Sequence, residues 1–319
     1  IARLVGSEMC IRDRYMSYTL HQLHIFAAVV QQKSMTKAAE LLKMSQPAVS
    51  IQVKKLQDHF GIDLFEVIGK QLYLTEAGRE LYHAQILVQQ SLENAEMSLS
   101  QLRGAMMGSL NIAAVSTAKY VMPYILGAFQ KQHTNISISL KVSNRAEVIS
   151  ALRENGCDFA VFSQLPSDLA LDYTDLIDNP LVFAAAKDHP KLRKRLKVAE
   201  LKDEALVLRE KGSGTRMVME ELFEKEEIRI NPVMELSTNE GVKHAIMAGI
   251  GISLVSEFSL RLEKVHGQIG ILNVAGFPIN STWKLVHLRG KSLSPLAQTF
   301  KTYIQQTDLT TSTYGIPTI

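Results

Sequence analysis

The stretch "MTKAAELLKMSQPAVSIQVKKLQ", Met35 to Gln57, holds two short amphipathic segments joined by a polar turn. In the first, Ala38, Ala39 and Leu42 recur at helical spacing, and the paired alanines let a crossing helix come close. In the second, Ser45 is a good N-cap and Pro47 fits the first turn, where a missing N–H costs little. Val49, Val53, Leu56 and Phe60 follow at i, i+4, i+7 and i+11, and Gly61 ends the helix. With that face inward, Gln46, Ser50 and Lys54 turn outward, with Gln52 and Lys55 beside them. Amide side chains can bond adenine bidentately, while Ser and Lys reach phosphate or guanine. A helix-turn-helix offers the start of its second helix to the major groove. A merely solvated polar face is the plainer alternative. Local charge does not separate the two, because residues 33–70 carry six Lys against four acidic residues.

The flanking residues extend the pattern. "LHQLHIFAAVVQQ" places Leu20, Leu23, Phe26, Ala27 and Val30 on one helical stripe. "LFEVIGKQLYLT" reads as two short strands around Gly69. Thr75 then caps a long helix whose first residue, Glu76, suits the positive helix end. Along it Leu81, Ala84, Val88, Leu92, Ala95, Leu99 and Leu102 form a near-heptad seam. A helix lying on a core would share that pattern. Its length and its polar remaining faces favour a linker that pairs with a second copy.

From Gly108 the chain alternates strand and helix. "SLNIAAV", "ISISLKV" and "CDFAVF" are strands separated by "KYVMPYILGAFQKQH" and "RAEVISALRENG". The pattern restarts after Pro180 with "LVFAAA", "EALVLR", "TRMVMEELFEK", "VMEL", "NEGVKHAIMAG" and "IGISLVS". A last strand, "TWKLVHL", and the helix "PLAQTFKTYIQQ" read as a return to the first half. Such alternation implies parallel α/β sheets in two subdomains joined by two crossings, which make a hinge. The expected organisation is residues 16–74, a linker helix over 75–104, and an α/β region over 108–306. Within it, subdomain I takes 108–180 and 281–306, and subdomain II takes 181–280. Residues 307–319 lack periodicity and are expected to be mobile.

Bulk numbers bound the rest. At 319 residues, more than one domain is the default. Hydrophobic and charged shares of 46% and 21% are those of a soluble globular chain. A net charge of +3 tolerates a polyanionic partner without arguing for one. Cys10 and Cys157 are isolated, so no zinc cluster is expected, and the usage fits a reducing compartment. No apolar run is long enough for a membrane span, so a cytoplasmic location is expected. The opening "IARLVGSEMCIRDRYM" has no apolar core of a signal peptide and resembles translated adapter sequence. Met16 is the expected start, with residues 1–15 a non-native leader.

The 45 residues from Ser34 to Gly78 resemble the winged helix-turn-helix of the LysR-type transcriptional regulators. The features that carry this are Ala38-Ala39, Ser45-Gln46-Pro47-Ala48-Val49-Ser50, Leu56, Leu64-Phe65 and Leu74-Thr75-Glu76-Ala77-Gly78. The resemblance extends from Met16 to Gln306. It implies double-stranded promoter DNA as partner, homodimers or homotetramers, and RNA polymerase as a further candidate partner. DNA-facing positions would be Thr36, Ser45, Gln46, Pro47, Ser50, Gln52, Lys54, Lys55 and, in the wing, Lys70. The family often has a wing arginine where this chain has Val67, which removes one backbone anchor.

For residues 108–306 the resemblance implies a two-subdomain, periplasmic-binding-protein-like fold with an effector in its cleft. Polar residues gather at helix starts in this region: Ser116-Thr117, Ser143-Asn144 and Ser213-Gly214-Thr215-Arg216. Helix N-termini suit anions, and Arg209, Lys211 and Arg216 add positive charge. Ordinary capping is the commoner role of any one such site. The convergence of three favours a cleft. The expected effector contacts are Ser116, Thr117, Ser143, Asn144, Arg209, Gly214, Thr215, Arg216 and Asn239. "REKGSGTR", Arg209 to Arg216, resembles the branch that regulates carbon-fixation (RuBisCO) operons, whose members answer to small phosphorylated or anionic metabolites and sometimes NADPH. No resident cofactor or metal is implied.

GxSxG, HExxH and GxxxxGK[ST] are absent from the sequence, so no enzyme is expected. The expectation is a DNA-binding regulator modulated by a small anionic metabolite. The alternative is a small-molecule-binding protein whose N-terminal helices serve assembly.

Overall fold

The computed structural model describes residues 18–69, 71–102 and 106–309. The expectations for residues 1–15, for Lys70 and for residues 310–319 lie outside the described residues. The described residues form two compact units, divided between Glu93 and Asn94.

The first unit begins with three helices, α1 (Leu20–Gln32), α2 (Met35–Leu42) and α3 (Gln46–Phe60). Each starts on a capping hydroxyl: Thr19, Ser34 and Ser45 accept from the backbone N–H of Gln22, Lys37 and Ala48. Lys33, Lys43 and Gly61 end them in the left-handed conformation. The core packs Ile25, Ala28 and Val29 of α1 against Ala38, Ala39, Val49 and Val53. The paired alanines are almost fully buried, as the close helix crossing requires. Two positions of the expected stripes point outward instead. Leu20 and Phe60 are exposed, because α1 buries the broad face around Ile25 and α3 ends beyond the core. Phe60 packs on Tyr18 at the surface. A hairpin, β1 (Phe65–Ile68) and β2 (Gln71–Leu74), pairs antiparallel with Phe65 opposite Leu74.

The helix α4 (Glu76–Leu102) follows. The Thr75 hydroxyl accepts from the Gly78 N–H at 3.0 Å and donates to the Asp63 carbonyl at 2.7 Å. A Cβ on residue 78 would overlap the Leu64 carbonyl oxygen, so only glycine lets α4 start this close to the hairpin.

The second unit continues with β3 (Gly108–Val115), α5 (Met122–Gln132), β4 (Ile136–Ser143), α6 (Arg145–Arg153), β5 (Phe159–Phe162), β6 (Leu171–Ile177), β7 (Pro180–Ala186), β8 (Arg195–Leu196) and β9 (Leu206–Arg209). Then come α7 (Gly214–Lys225), β10 (Pro232–Leu236), α8 (Asn239–Met247), β11 (Ser253–Ser256) and α9 (Arg261–Val265). The chain ends with β12 (Ile269–Ile271), β13 (Asn273–Val274), β14 (Ile279–Asn280), β15 (Trp283–Leu288) and α10 (Pro295–Gln306).

One subdomain is a five-stranded sheet ordered β4-β3-β5-β15-β6. Its core centres on Ile112, Phe129, Phe159, Trp283 and Phe300. The other subdomain groups β11, β12 and β14 around β7, with β9 and β10 beside them. The sheets are mixed, which corrects the parallel expectation. β3 is parallel to β4 and β5, but β15 runs antiparallel to both of its neighbours. It returns from the other subdomain and enters the sheet from the opposite end. β6, not anticipated from sequence, is an edge strand; only Leu171 and Leu176 of it are buried, so its pattern is too polar to read as a strand. The two crossings run side by side. The Ser281 N–H donates to the Asn179 carbonyl at 3.0 Å, and the Thr282 hydroxyl to Asp178 at 2.7 Å. The tail expected to be mobile begins by packing inward, since Leu309 is buried in the first subdomain's core.

Candidate functional site

In the first unit, α3 divides cleanly. Val49, Val53 and Leu56 are buried, while Gln46, Ser50 and Lys54 stand exposed in one row at i, i+4 and i+8. Lys55 flanks the row, Pro47 lies exposed in the first turn, and Thr36 is exposed on the first turn of α2. Ser45 caps α3. Gln52 does not join the outward row. Its carbonyl accepts from the Gln22 amide at 3.1 Å, which ties it to α1. Ile51, which sequence reasoning passed over, is 54% exposed on the same helix. Falling off the buried apolar row was its signal, and an apolar side chain there suits a thymine methyl. Val67 at the hairpin tip is 71% exposed, so its apolar side chain offers no charge to a phosphate.

On α4 the seam residues Val88, Leu92, Leu99 and Leu102 are exposed. Leu81 alone among the seam's leucines packs on the core of the first unit. Four large apolar side chains on one helix face are therefore left largely open.

The subdomains of the second unit meet at a small cavity of about 20 Å³, room for about one water. The ends of β3, β5 and β9 and the start of α7 supply its lining. Ser116, Thr117, Arg209, Gly214 and Thr215 of the expected set all reach it. Although Ser213 stands at the cap position, its hydroxyl makes no bond to the α7 amides and pairs with the Thr215 hydroxyl at 3.1 Å. The α7 N-terminus thus keeps its N–H groups and its positive end toward the cavity.

Arg209, 4% exposed, spans the cleft: Nη2 donates to the Ser116 hydroxyl of the opposite subdomain at 3.2 Å. Its Nε and Nη2 also donate to both oxygens of Glu210 at 2.7 and 2.8 Å. Asn239 accepts from Nη1 and lies behind Arg209 rather than in the cavity, and its buried amide nitrogen has no partner. Arg145 lines the cavity too, as do Glu210 and Gln164, none of which the sequence reading selected. Its Nη2 donates to the Gln164 carbonyl at 3.3 Å, whereas its buried Nε has no partner. Burial pulls this guanidinium below its usual pKa range.

Besides Asn239, three expected contacts are not brought to the cavity. Asn144 caps α6, accepting from the Glu147 N–H at 2.9 Å, and Ser143 precedes it at the end of β4. Arg216 points the other way. It donates to Glu220 at 2.7 Å, to Glu235 at 2.6 Å and to the Arg209 carbonyl at 2.8 Å, fastening α7 to β9 and β10.

A second set of bonds crosses between the subdomains. The Tyr120 hydroxyl donates to Glu240 at 2.8 Å, Lys119 reaches the same carboxylate at 3.2 Å, and Lys243 lies 2.9 Å from it. Burial opposes ionisation of Glu240, but donors from Lys243, Tyr120 and Lys119 outweigh it and bring the carboxyl down to about 2. Among the described residues, no group of His, Cys, Asp and Glu could hold a metal ion. No helix among them is long and apolar enough to cross a membrane.

Comparison with known proteins places this geometry. Residues 20–79 match the family described as "Bacterial regulatory helix-turn-helix protein, lysR family", and residues 103–308 match the "LysR substrate binding domain". The chain is 40% identical over 287 residues to the HTH-type transcriptional activator CmpR of Synechocystis sp., covering 90% of this chain and 94% of that one. It is 41% identical to a RuBisCO operon transcriptional regulator of Allochromatium vinosum, covering 91% and 96%. The regulatory domain of Synechocystis PCC6803 CcmR, solved in complex with 2-PG, is 38% identical, with a TM-score of 0.60 over 62% of this chain and 96% of that chain. Full-length CbnR complexed with its target DNA shares the fold at 22% identity, with a TM-score of 0.66 over 90% of this chain and 99% of that chain.

Proposed function

This chain belongs to the LysR family of bacterial transcriptional regulators, and we propose that it reads operator DNA through α3 and answers to a small anion held between its effector subdomains. The exposed row Gln46, Ser50 and Lys54, running from the N-terminus of a helix whose other face is core, supports major-groove reading. The exposed α4 seam supports pairing of two chains, so that two recognition helices meet two half-sites. Such a regulator works where the DNA is, in the cytoplasm.

The observation that carries the effector assignment is the cavity itself: two guanidiniums, five hydroxyls and an uncapped helix N-terminus meet where the subdomains close. That chemistry suits a carboxylate or phosphate group on a small metabolite. The relative solved with 2-PG, at 38% identity, favours a ligand of that kind. Similarity to regulators of RuBisCO operons favours a carbon-fixation target. A ligand acts only by binding open and closed arrangements with different affinity, and thereby changes how the dimer sits on DNA.

A gel shift on the protein's own upstream region, with and without 2-PG, tests this. Submicromolar binding at moderate salt that shifts with ligand is expected. No DNA complex below micromolar protein sinks the DNA half, and a ligand-blind complex sinks the effector half.

A further inference from the structure

The strongest cation in the cleft is already occupied, and its occupant is part of the chain. Glu210 follows Arg209 directly in sequence, yet its carboxylate folds back onto the neighbouring guanidinium as a bidentate pair at 2.7 and 2.8 Å. Arg209 is almost fully buried, and its remaining donors face Asn239, Ser116 and the Ser237 carbonyl. The Nε–Nη2 fork is therefore closed to an incoming anion. Glu210 itself lines the cavity and is 24% exposed at its solvent edge, so it has room to leave.

The cavity's charges sharpen the point. Arg145, Arg209 and Glu210 are the charged residues of its lining, two positive and one negative. With Glu210 in place the site carries one net positive charge and space for about one water. With Glu210 displaced it carries two, one of them a preformed fork matched to a carboxylate or phosphate.

We propose that Glu210 is an internal competitor: its carboxylate holds the Arg209 fork in the empty cleft, and an anionic effector binds by displacing it. Arg145, whose buried Nε has no partner, supplies the second cation for the ligand, and the α7 amides with Thr215 hold the rest of the anionic group. The inference rests on the cleft being the effector site. It makes Glu210 a specificity residue. A neutral or weakly charged metabolite cannot replace a bidentate carboxylate, so the empty cleft rejects it, while a doubly charged phosphate ester can. Arg209 also bonds Ser116 across the cleft, so the exchange at Arg209 occurs on the same side chain that ties the subdomains together.

The test is titration calorimetry of the full-length protein with inorganic phosphate and with 2-PG, for the wild type, Glu210→Gln and Thr215→Val. The wild type should bind at least 2-PG. Glu210→Gln should bind tighter on the order of tenfold, since removing a like charge beside a bound anion is worth at least that much. Thr215→Val should bind more weakly. If Glu210→Gln binds no tighter than the wild type while Thr215→Val weakens binding, the competitor role is overturned and the cleft stands. If neither the wild type nor Glu210→Gln binds either anion, the cleft assignment falls and takes the competitor with it. Should Glu210→Gln fail to fold, Glu210→Asp decides: one methylene shorter, it cannot span both Arg209 nitrogens, so tighter binding supports the proposal and unchanged or weaker binding overturns it.

Discussion

The Tyr120 hydroxyl donates to the Glu240 carboxylate at 2.8 Å, joining the turn after β3 to the start of α8 across the two effector subdomains. Lys119 adds a second bond to the same oxygen at 3.2 Å, and Lys243 braces the carboxylate from within α8. Glu240 is thus the meeting point of three donors, two from the opposite subdomain.

This link has a pH signature. The Glu240 carboxyl is held down at about 2 in the fold, against an ordinary 4.5. A depressed carboxylate contributes stability above its unfolded pKa and loses it as pH falls through the folded one. Thermal melting of the wild type against Glu240→Gln should therefore show a difference at pH 5 that shrinks between about pH 4.5 and 2. A gap constant across that window rules out Glu240 ionisation as its source. Because the side chain is half exposed, the gap at pH 5 should also narrow at high salt.

Gln46→Ala should weaken binding to the specific operator by about 1–3 kcal/mol and leave random-sequence binding nearly unchanged. Fluorescence anisotropy on both duplexes reads the difference. Equal losses on the two would make Gln46 a backbone contact rather than a reader.

The α4 seam predicts the oligomer. Leu92→Lys with Leu99→Lys puts two charges among side chains exposed in the single chain. Folding of either unit should be unaffected, while dimer dissociation, followed by sedimentation, should rise at least about tenfold. A dimer of unchanged stability would place the interface elsewhere.

Gly78→Ala probes the junction between hairpin and linker helix. The added methyl would overlap the Leu64 carbonyl, a backbone atom that cannot rotate away. Overpacking of this kind costs about 1–3 kcal/mol, read as a lower urea midpoint for the N-terminal unit. A midpoint equal to the wild type would show that α4 can shift at no cost.

Thr117→Val with Thr215→Val keeps volume in two buried positions while removing two cavity hydroxyls. Loss of 2-PG binding with little change in melting temperature is expected. Retained binding would move the ligand out of this cavity.

Local rules made much of this protein legible from sequence. Ser45, Pro47 and Gly61 bound α3, Val49, Val53 and Leu56 mark its buried face, and the alanine pair marks where α2 crosses; each depends only on residues within a turn or two. The α4 seam is readable for the same reason. The edge strand β6 was not legible, because a strand with one sparsely buried face lacks the apolar run that marks its neighbours. In the effector region, sequence could propose three polar helix starts but could not rank them. Asn144 bonds its own helix, whereas Ser213, an equally good cap by type, does not. Only the tertiary structure decides this, because the cavity exists where two crossings bring distant strand ends together. Ser116 and Arg209 are 93 residues apart in sequence and 3.2 Å apart in the cleft. The occupancy of Arg209 by Glu210 and the unpartnered buried donor of Arg145 are likewise invisible to periodicity. They depend on which way a side chain turns once both subdomains stand around it, and no local pattern carries that information.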